Sequence, residues 1–181
     1  LEAVQLVDGV FQQGQGGDFV SIVLLAPIAF GDLNGDGNPD AAALAAENYG
    51  GSGQFVYLIV YLNQMGQPLI GMTRFIDDRP IVNALDIVDG RIVLAAVIHA
   101  AVDALCCPSF QVVETYGLGL GLVRLTSFTP LGYERAITID APADGDVVSD
   151  SVRVAGSITI APFENNLEYL SLIHISEPTR P

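Results

Sequence analysis

The chain has 181 residues, with 21 acidic side chains against 7 basic ones and a formal net charge of -14. Every basic residue is an arginine (Arg74, Arg79, Arg91, Arg124, Arg135, Arg153 and Arg180), and so acidic a surface argues against nucleic acid or a membrane surface as partner unless a cation bridges them. No apolar run approaches the roughly 18 residues of a membrane helix, so no membrane-spanning segment is expected. Half of the residues are hydrophobic, enough for a real core, and the length suits one large or two small domains. The acidity fits an extracellular or envelope protein in calcium-bearing medium, and it equally fits simple solubility. Because the chain opens at Leu1 with no methionine or charged leader, it is expected to be a fragment or a mature portion.

Asp8-Gly9 and the Gln- and Gly-rich run that follows at 12–17 predict a short strand and then a turn. From residue 18 onward, apolar runs recur between turn signals, the pattern of a β-rich domain. The first candidate strand covers 19–26.

A run rich in oxygen side chains follows: Phe30-Gly31-Asp32-Leu33-Asn34-Gly35-Asp36-Gly37-Asn38-Pro39-Asp40. Acids at alternate positions, with glycine where the backbone must turn, can curl oxygens onto one hard cation. It is not an EF-hand, because the twelfth position counted from Asp32 is Ala43 rather than glutamate and helical signals are missing on both sides. The run resembles the strand-loop-strand calcium motif of FG-GAP and VCBS-type repeats. That resemblance implies side-chain oxygens from Asp32, Asn34, Asp36 and Asp40, a backbone carbonyl from Asn38, and calcium as the bound ion. The alternative is turn chemistry alone, since Asn, Asp and Gly also favour tight loops. A propeller is not expected, because the motif occurs once and no repeat of about 40–60 residues is present.

Further strands are predicted at 41–47, 54–62, 69–75, 82–88, 91–99, 110–115 and 119–126, with loops at 48–53 and 63–68. A helix over 39–48 is the alternative for the alanine-rich stretch. Asp89-Gly90 between two branched-aliphatic runs is the strongest hairpin signal, because a two-residue type I′ turn needs positive φ at both positions. The expected architecture is mostly β: an antiparallel meander sheet or barrel-like domain over 1–128.

Between 99 and 110 the chain brings together His99, Asp103, Cys106 and Cys107. A nucleophilic cysteine needs a base and an oxyanion site, and zinc needs more soft ligands than these, so no catalytic residue is assigned. A hydrolase or thiol-redox enzyme using His99 with Cys106 or Cys107 is kept as the alternative function. An ordinary disulfide holds α-carbons about 4.4–6.8 Å apart, against about 3.8 Å for trans neighbours. The adjacent cysteines are therefore expected either as a vicinal disulfide before Pro108 or as two thiols packed under a loop. Asp89-Gly90-Arg91-Ile92-Val93, His99 and Cys106-Cys107-Pro108 also resemble a stretch of secreted bacterial proteins that carry the same acidic loop, a likeness that implies no particular activity.

Residues 129–136 read as a linker. Ile137-Thr138-Ile139-Asp140-Ala141-Pro142, the turn at 145–149, Val152-Arg153-Val154-Ala155-Gly156 and Ala161-Pro162-Phe163-Glu164 resemble the start of the immunoglobulin-like domain of bacterial spore-germination and other envelope proteins, here an incomplete sandwich over 137–169. The ending 170–181 resembles the translation of a sequencing adapter and is set aside as an artefact.

Taken together, these readings give an expected function: a non-catalytic, calcium-stabilised structural or binding module of a secreted or cell-envelope bacterial protein. Its expected partner is an envelope protein or a polysaccharide.

Overall fold

A computed structural model describes residues 4–119, 121–129, 131–142 and 153–159. The described residues form eleven strands, antiparallel to their neighbours within each sheet. β1 (Val10–Gln13), β2 (Val20–Gly31), β3 (Asp40–Asn48), β4 (Phe55–Gln64) and β5 (Gln67–Asp78) form one antiparallel sheet in chain order. β6 (Ile81–Val88), β7 (Arg91–Ile98), β8 (Phe110–Gly117), β9 (Gly121–Phe128), β10 (Glu134–Ala141) and β11 (Ala155–Ile158) form the second, also in chain order. The protein is thus mostly β, with two open sheets that do not close into a barrel.

Period-two patterning decides which side chains meet between the sheets. In β4, Val56, Leu58 and Val60 are buried while Phe55, Tyr57, Ile59 and Tyr61 alternate with them on the other face. β7 turns Ile92, Leu94 and Ala96 inward, and β8 adds Val112 and Tyr116. These side chains join Leu44, Leu85 and Leu33 in one hydrophobic cluster shared by both sheets.

The alanine-rich stretch is a strand rather than a helix. β3 lies between β2 and β4 with both edges hydrogen-bonded, and its small side chains fit beneath the bulky ones on either side. Tertiary packing overrides alanine's helix propensity here. Pro27 falls where the β2–β3 register breaks between Leu25 and Ala29, a bulge that tolerates a residue with no N–H to donate.

Asp89 and Gly90 carry φ of 49° and 69° and join β6 to β7, as the dipeptide predicts. The expected 63–68 loop shrinks to two residues: Met65 and Gly66, with φ of 50° and 84°, join β4 directly to β5. Gly31 permits a close approach of the two sheets, because a Cβ there would lie 2.6 Å from Ile87 Cγ2.

The stretch expected as a linker contributes Glu134, Arg135 and Ala136 to β10, which pairs with β9, while β11 pairs with β10. A Cβ at Gly156 would lie 2.1 Å from the Thr138 carbonyl oxygen, so only glycine fits the β10–β11 contact. The parts of the immunoglobulin resemblance at 145–149 and 161–164, and the adapter-like tail, lie outside the described residues.

Candidate functional site

The acidic loop runs from the end of β2 to the first residue of β3. Its fold is written by side-chain oxygens accepting backbone amides two to seven residues away. Asp32 accepts from Gly35 N at 2.7 Å and from Gly37 N at 2.9 Å. Asn34 accepts from Asp36 N at 2.9 Å and donates its amide to Asp36 Oδ2 at 3.0 Å. Asp36 accepts from Asn38 N at 2.7 Å. Gly35 and Gly37 have φ of 78° and 83°, a region costly for side-chain-bearing residues. The Asn38 amide, with help from the Asn34 side chain, holds the Asp36 carboxyl below its ordinary value.

Asp40 differs from the other four. It is 1% exposed, and its Oδ2 accepts from Leu33 N and its Oδ1 from Asn63 N, each at 2.8 Å. One carboxylate thereby fastens the mouth of the loop to the far end of β4. Leu33, inside the loop, is buried in the shared core, so the loop is anchored at both a polar and an apolar point.

As a donor set, Asp32, Asn34, Asp36, Asp40 and the Asn38 carbonyl suit a hard cation. A carboxylate oxygen that accepts one N–H keeps a second lone pair, so these would be the residues to hold calcium, with their side chains drawn from their present amide partners onto one point. Among the described residues, no group of three or more His, Cys, Asp or Glu side chains converges on a single point. The geometry on its own is that of a loop folded by turn bonds.

His99 lies at the other end of the sandwich, just past β7. Its backbone N donates to Asp77 Oδ2 at 2.6 Å, and its ring Nδ1 lies 2.9 Å from the same oxygen. The bond to Asp77 raises the histidine pKa above its ordinary value, with Asp103 adding to the effect. The ring Nε2 is buried and has no hydrogen-bond partner. Asp103 gathers the loop that follows, accepting from Ala100 N, Ser109 N and the Ser109 hydroxyl, each at 2.8 Å. Cys106 and Cys107, carried in that loop, are joined in a vicinal disulfide. Neither sulfur is therefore a free thiol nucleophile in this form, and no hydrogen bond joins His99 to either among the described residues.

Two further groups carry no sequence motif. Glu114 and Tyr116 point into the core from β8, and the tyrosine hydroxyl donates to Glu114 Oε2 at 2.5 Å. Burial raises the pKa of both, with the Arg74 charge opposing the shift. The signal available in the sequence was a glutamate at an inward position of β8, between Val112 and Tyr116. Asp77 was equally unmarked, since its partner is 22 residues away.

Comparison with protein-family models, curated proteins and solved structures found no match.

Proposed function

We propose that this chain is a non-catalytic structural or binding module of a secreted or cell-envelope bacterial protein, stabilised by calcium in the 32–40 loop. The observation that carries the reading is the loop itself. Five oxygen-bearing residues are gathered in it, and its one buried carboxylate, Asp40, ties the mouth of the loop at Leu33 and the end of β4 to β3. An ion there would offset the mutual repulsion of Asp32, Asp36 and Asp40. It would also add stability by binding the folded loop in preference to the unfolded chain. The vicinal disulfide and the acidic composition favour an oxidising compartment outside the cytoplasm. Within this reading, residues 137–169 are the beginning of an immunoglobulin-like unit, and the module serves an envelope protein or polysaccharide.

The test is thermal unfolding of the full chain in millimolar calcium and then in chelator. Free calcium about a thousandfold above its dissociation constant adds roughly 4 kcal/mol, and Asp36→Ala should abolish the gain. An unfolding temperature indifferent to calcium would leave the loop as turn chemistry.

A thiol-redox activity is the second reading, favoured by the disulfide that shares a loop with His99 and its unpartnered Nε2. It requires that the reduced chain exchange with a disulfide substrate, and that His99→Ala slow the exchange.

A further inference from the structure

The loop between β7 and β8 places a histidine with one unsatisfied nitrogen beside a pair of joined cysteines. Asp77, on the other sheet, holds His99 at Nδ1, 2.9 Å away. The opposite nitrogen, Nε2, is buried and has no hydrogen-bond partner, a costly state for a polar atom. The Leu105 carbonyl lies close enough to favour a proton on the ring, and Leu105 is followed directly by Cys106 and Cys107, joined to each other.

The base of this loop is fastened and its tip is exposed. Asp103 closes the base by accepting from Ala100 N, Ser109 N and the Ser109 hydroxyl, each at 2.8 Å. Beyond it the chain makes a single turn, in which Cys107 N donates to the Ala104 carbonyl at 2.9 Å. A bond between neighbouring cysteines closes a small ring around their shared peptide and restricts how that turn can move. The Leu105 carbonyl sits inside the turn so restricted.

Imidazole chemistry says what the carbonyl could do. In the neutral ring with Nδ1–H toward Asp77, Nε2 is an acceptor and has nothing to give a carbonyl; in the protonated ring it is a donor. The charges around the ring favour that proton: Asp77 from β5, Asp78 beside it with Arg79 paired to it at 2.7 Å, and Asp103 from the loop itself. The missing piece is an acceptor brought within reach of Nε2.

We propose that Cys106–Cys107 and His99 form a redox-linked proton switch, in which opening the disulfide frees the turn at 104–107 and lets the Leu105 carbonyl accept from Nε2–H of the protonated ring. The reductant is a dithiol. One of its thiolates attacks a cysteine sulfur, and the S–S electron pair leaves on the other cysteine. The second thiol then displaces the mixed disulfide, so two electrons and two protons reach the protein as two thiols and the reductant departs as its own disulfide. Both cysteines are exposed, as labile, regulatory disulfides are. Reduction thereby tightens proton binding at His99, and a charged ring bonds more strongly to Asp77 across the two sheets. By linkage, the proton favours the reduced loop by the same factor. The switch requires neither calcium in the 32–40 loop nor turnover of a disulfide substrate.

The experiment is an NMR titration of the His99 imidazole in the full chain carrying His174→Ala, which removes the other of the two histidines. It is run on the oxidised chain, in excess dithiothreitol, and on the double variant Cys106→Ser, Cys107→Ser, with circular dichroism as the folding check. The expected result is a proton held at least about fivefold more tightly in the reduced chain and in the double variant, the latter without response to the dithiol. Where dithiothreitol leaves the disulfide closed, the double variant decides; where the double variant does not fold, the reduced chain decides. A proton affinity at His99 that is unchanged or weaker once the disulfide is gone overturns the proposal.

Discussion

A single oxygen of Asp77, near the end of β5, takes both the backbone N–H of His99 at 2.6 Å and its ring Nδ1 at 2.9 Å. The bond crosses from one sheet to the other at the point where the chain itself crosses, so the last turn of the first sheet is held to the far end of β7.

Stability should therefore depend on pH through His99. The folded state raises the histidine pKa, so its contribution is complete below the ordinary value of about 6.5 and is lost as pH rises through the higher folded value. Asp77→Asn should lower the unfolding temperature most at acidic pH, and the gap from wild type should narrow on the alkaline side. Thermal melts across that range check it, and a gap that widens with pH would contradict the assignment.

Glu114 acts in the same sense from the opposite charge type. Burial raises its pKa, so the folded state prefers the neutral acid, and stability falls as pH rises from the ordinary glutamate value through the folded one. Glu114→Gln keeps an acceptor for the Tyr116 hydroxyl and cannot ionise. It should gain on the wild type as pH rises through this range and show no loss of its own there in urea titrations.

Asp36 and Asp40 should separate metal from fold. Asp40→Ala leaves the Leu33 and Asn63 amides without their acceptor and should cost about 2–6 kcal/mol in chelator, at roughly 1–3 kcal/mol per orphaned group, and more in calcium, since a ligand is lost as well. Asp36→Ala lies at the exposed tip and should cost under about 1 kcal/mol in chelator. Denaturation midpoints of both variants in the two media give the comparison.

The contact between Gly31 and Ile87 predicts a coupled pair. Gly31→Ala should cost about 1–3 kcal/mol by overpacking, and much of that cost should vanish in an Ile87→Ala background, where the colliding Cγ2 is gone. A double-mutant cycle measures the coupling; additive losses would place the strain elsewhere.

Met65→Gly should stabilise the β4–β5 hairpin. Methionine at φ 50° pays for a left-handed backbone that glycine adopts freely, and its fully exposed side chain packs against nothing. A gain of about 0.5–1 kcal/mol is expected, read as a rise in unfolding temperature.

That hairpin also marks where sequence reading runs out. Asp89-Gly90 announces its turn through residue types suited to positive φ, whereas Met65-Gly66 is half disguised, so a six-residue loop was expected where two residues suffice. The strands themselves were readable because alternating or continuous apolar runs have few other uses in a chain of this composition. Even the alanine strand was placed, though its competing helix could be dismissed only once its neighbours in the sheet were known. Division into two sheets was not readable, since Arg79-Pro80 at the crossing looks like any other turn. At the acidic loop, the residue types named the candidate donors but not that Asp40 is buried beneath the others. Asp77 and Glu114 were silent because their roles come from burial and from partners in other strands.

Among the described residues, each strand in either sheet hydrogen-bonds only to strands next to it in the chain. The backbone pairing can therefore be laid down in the order of synthesis, hairpin by hairpin, without waiting for a distant segment to return. Loop-closure entropy is met in small steps, and the slow search that delays sandwiches with crossed connections reduces to docking one finished sheet on the other.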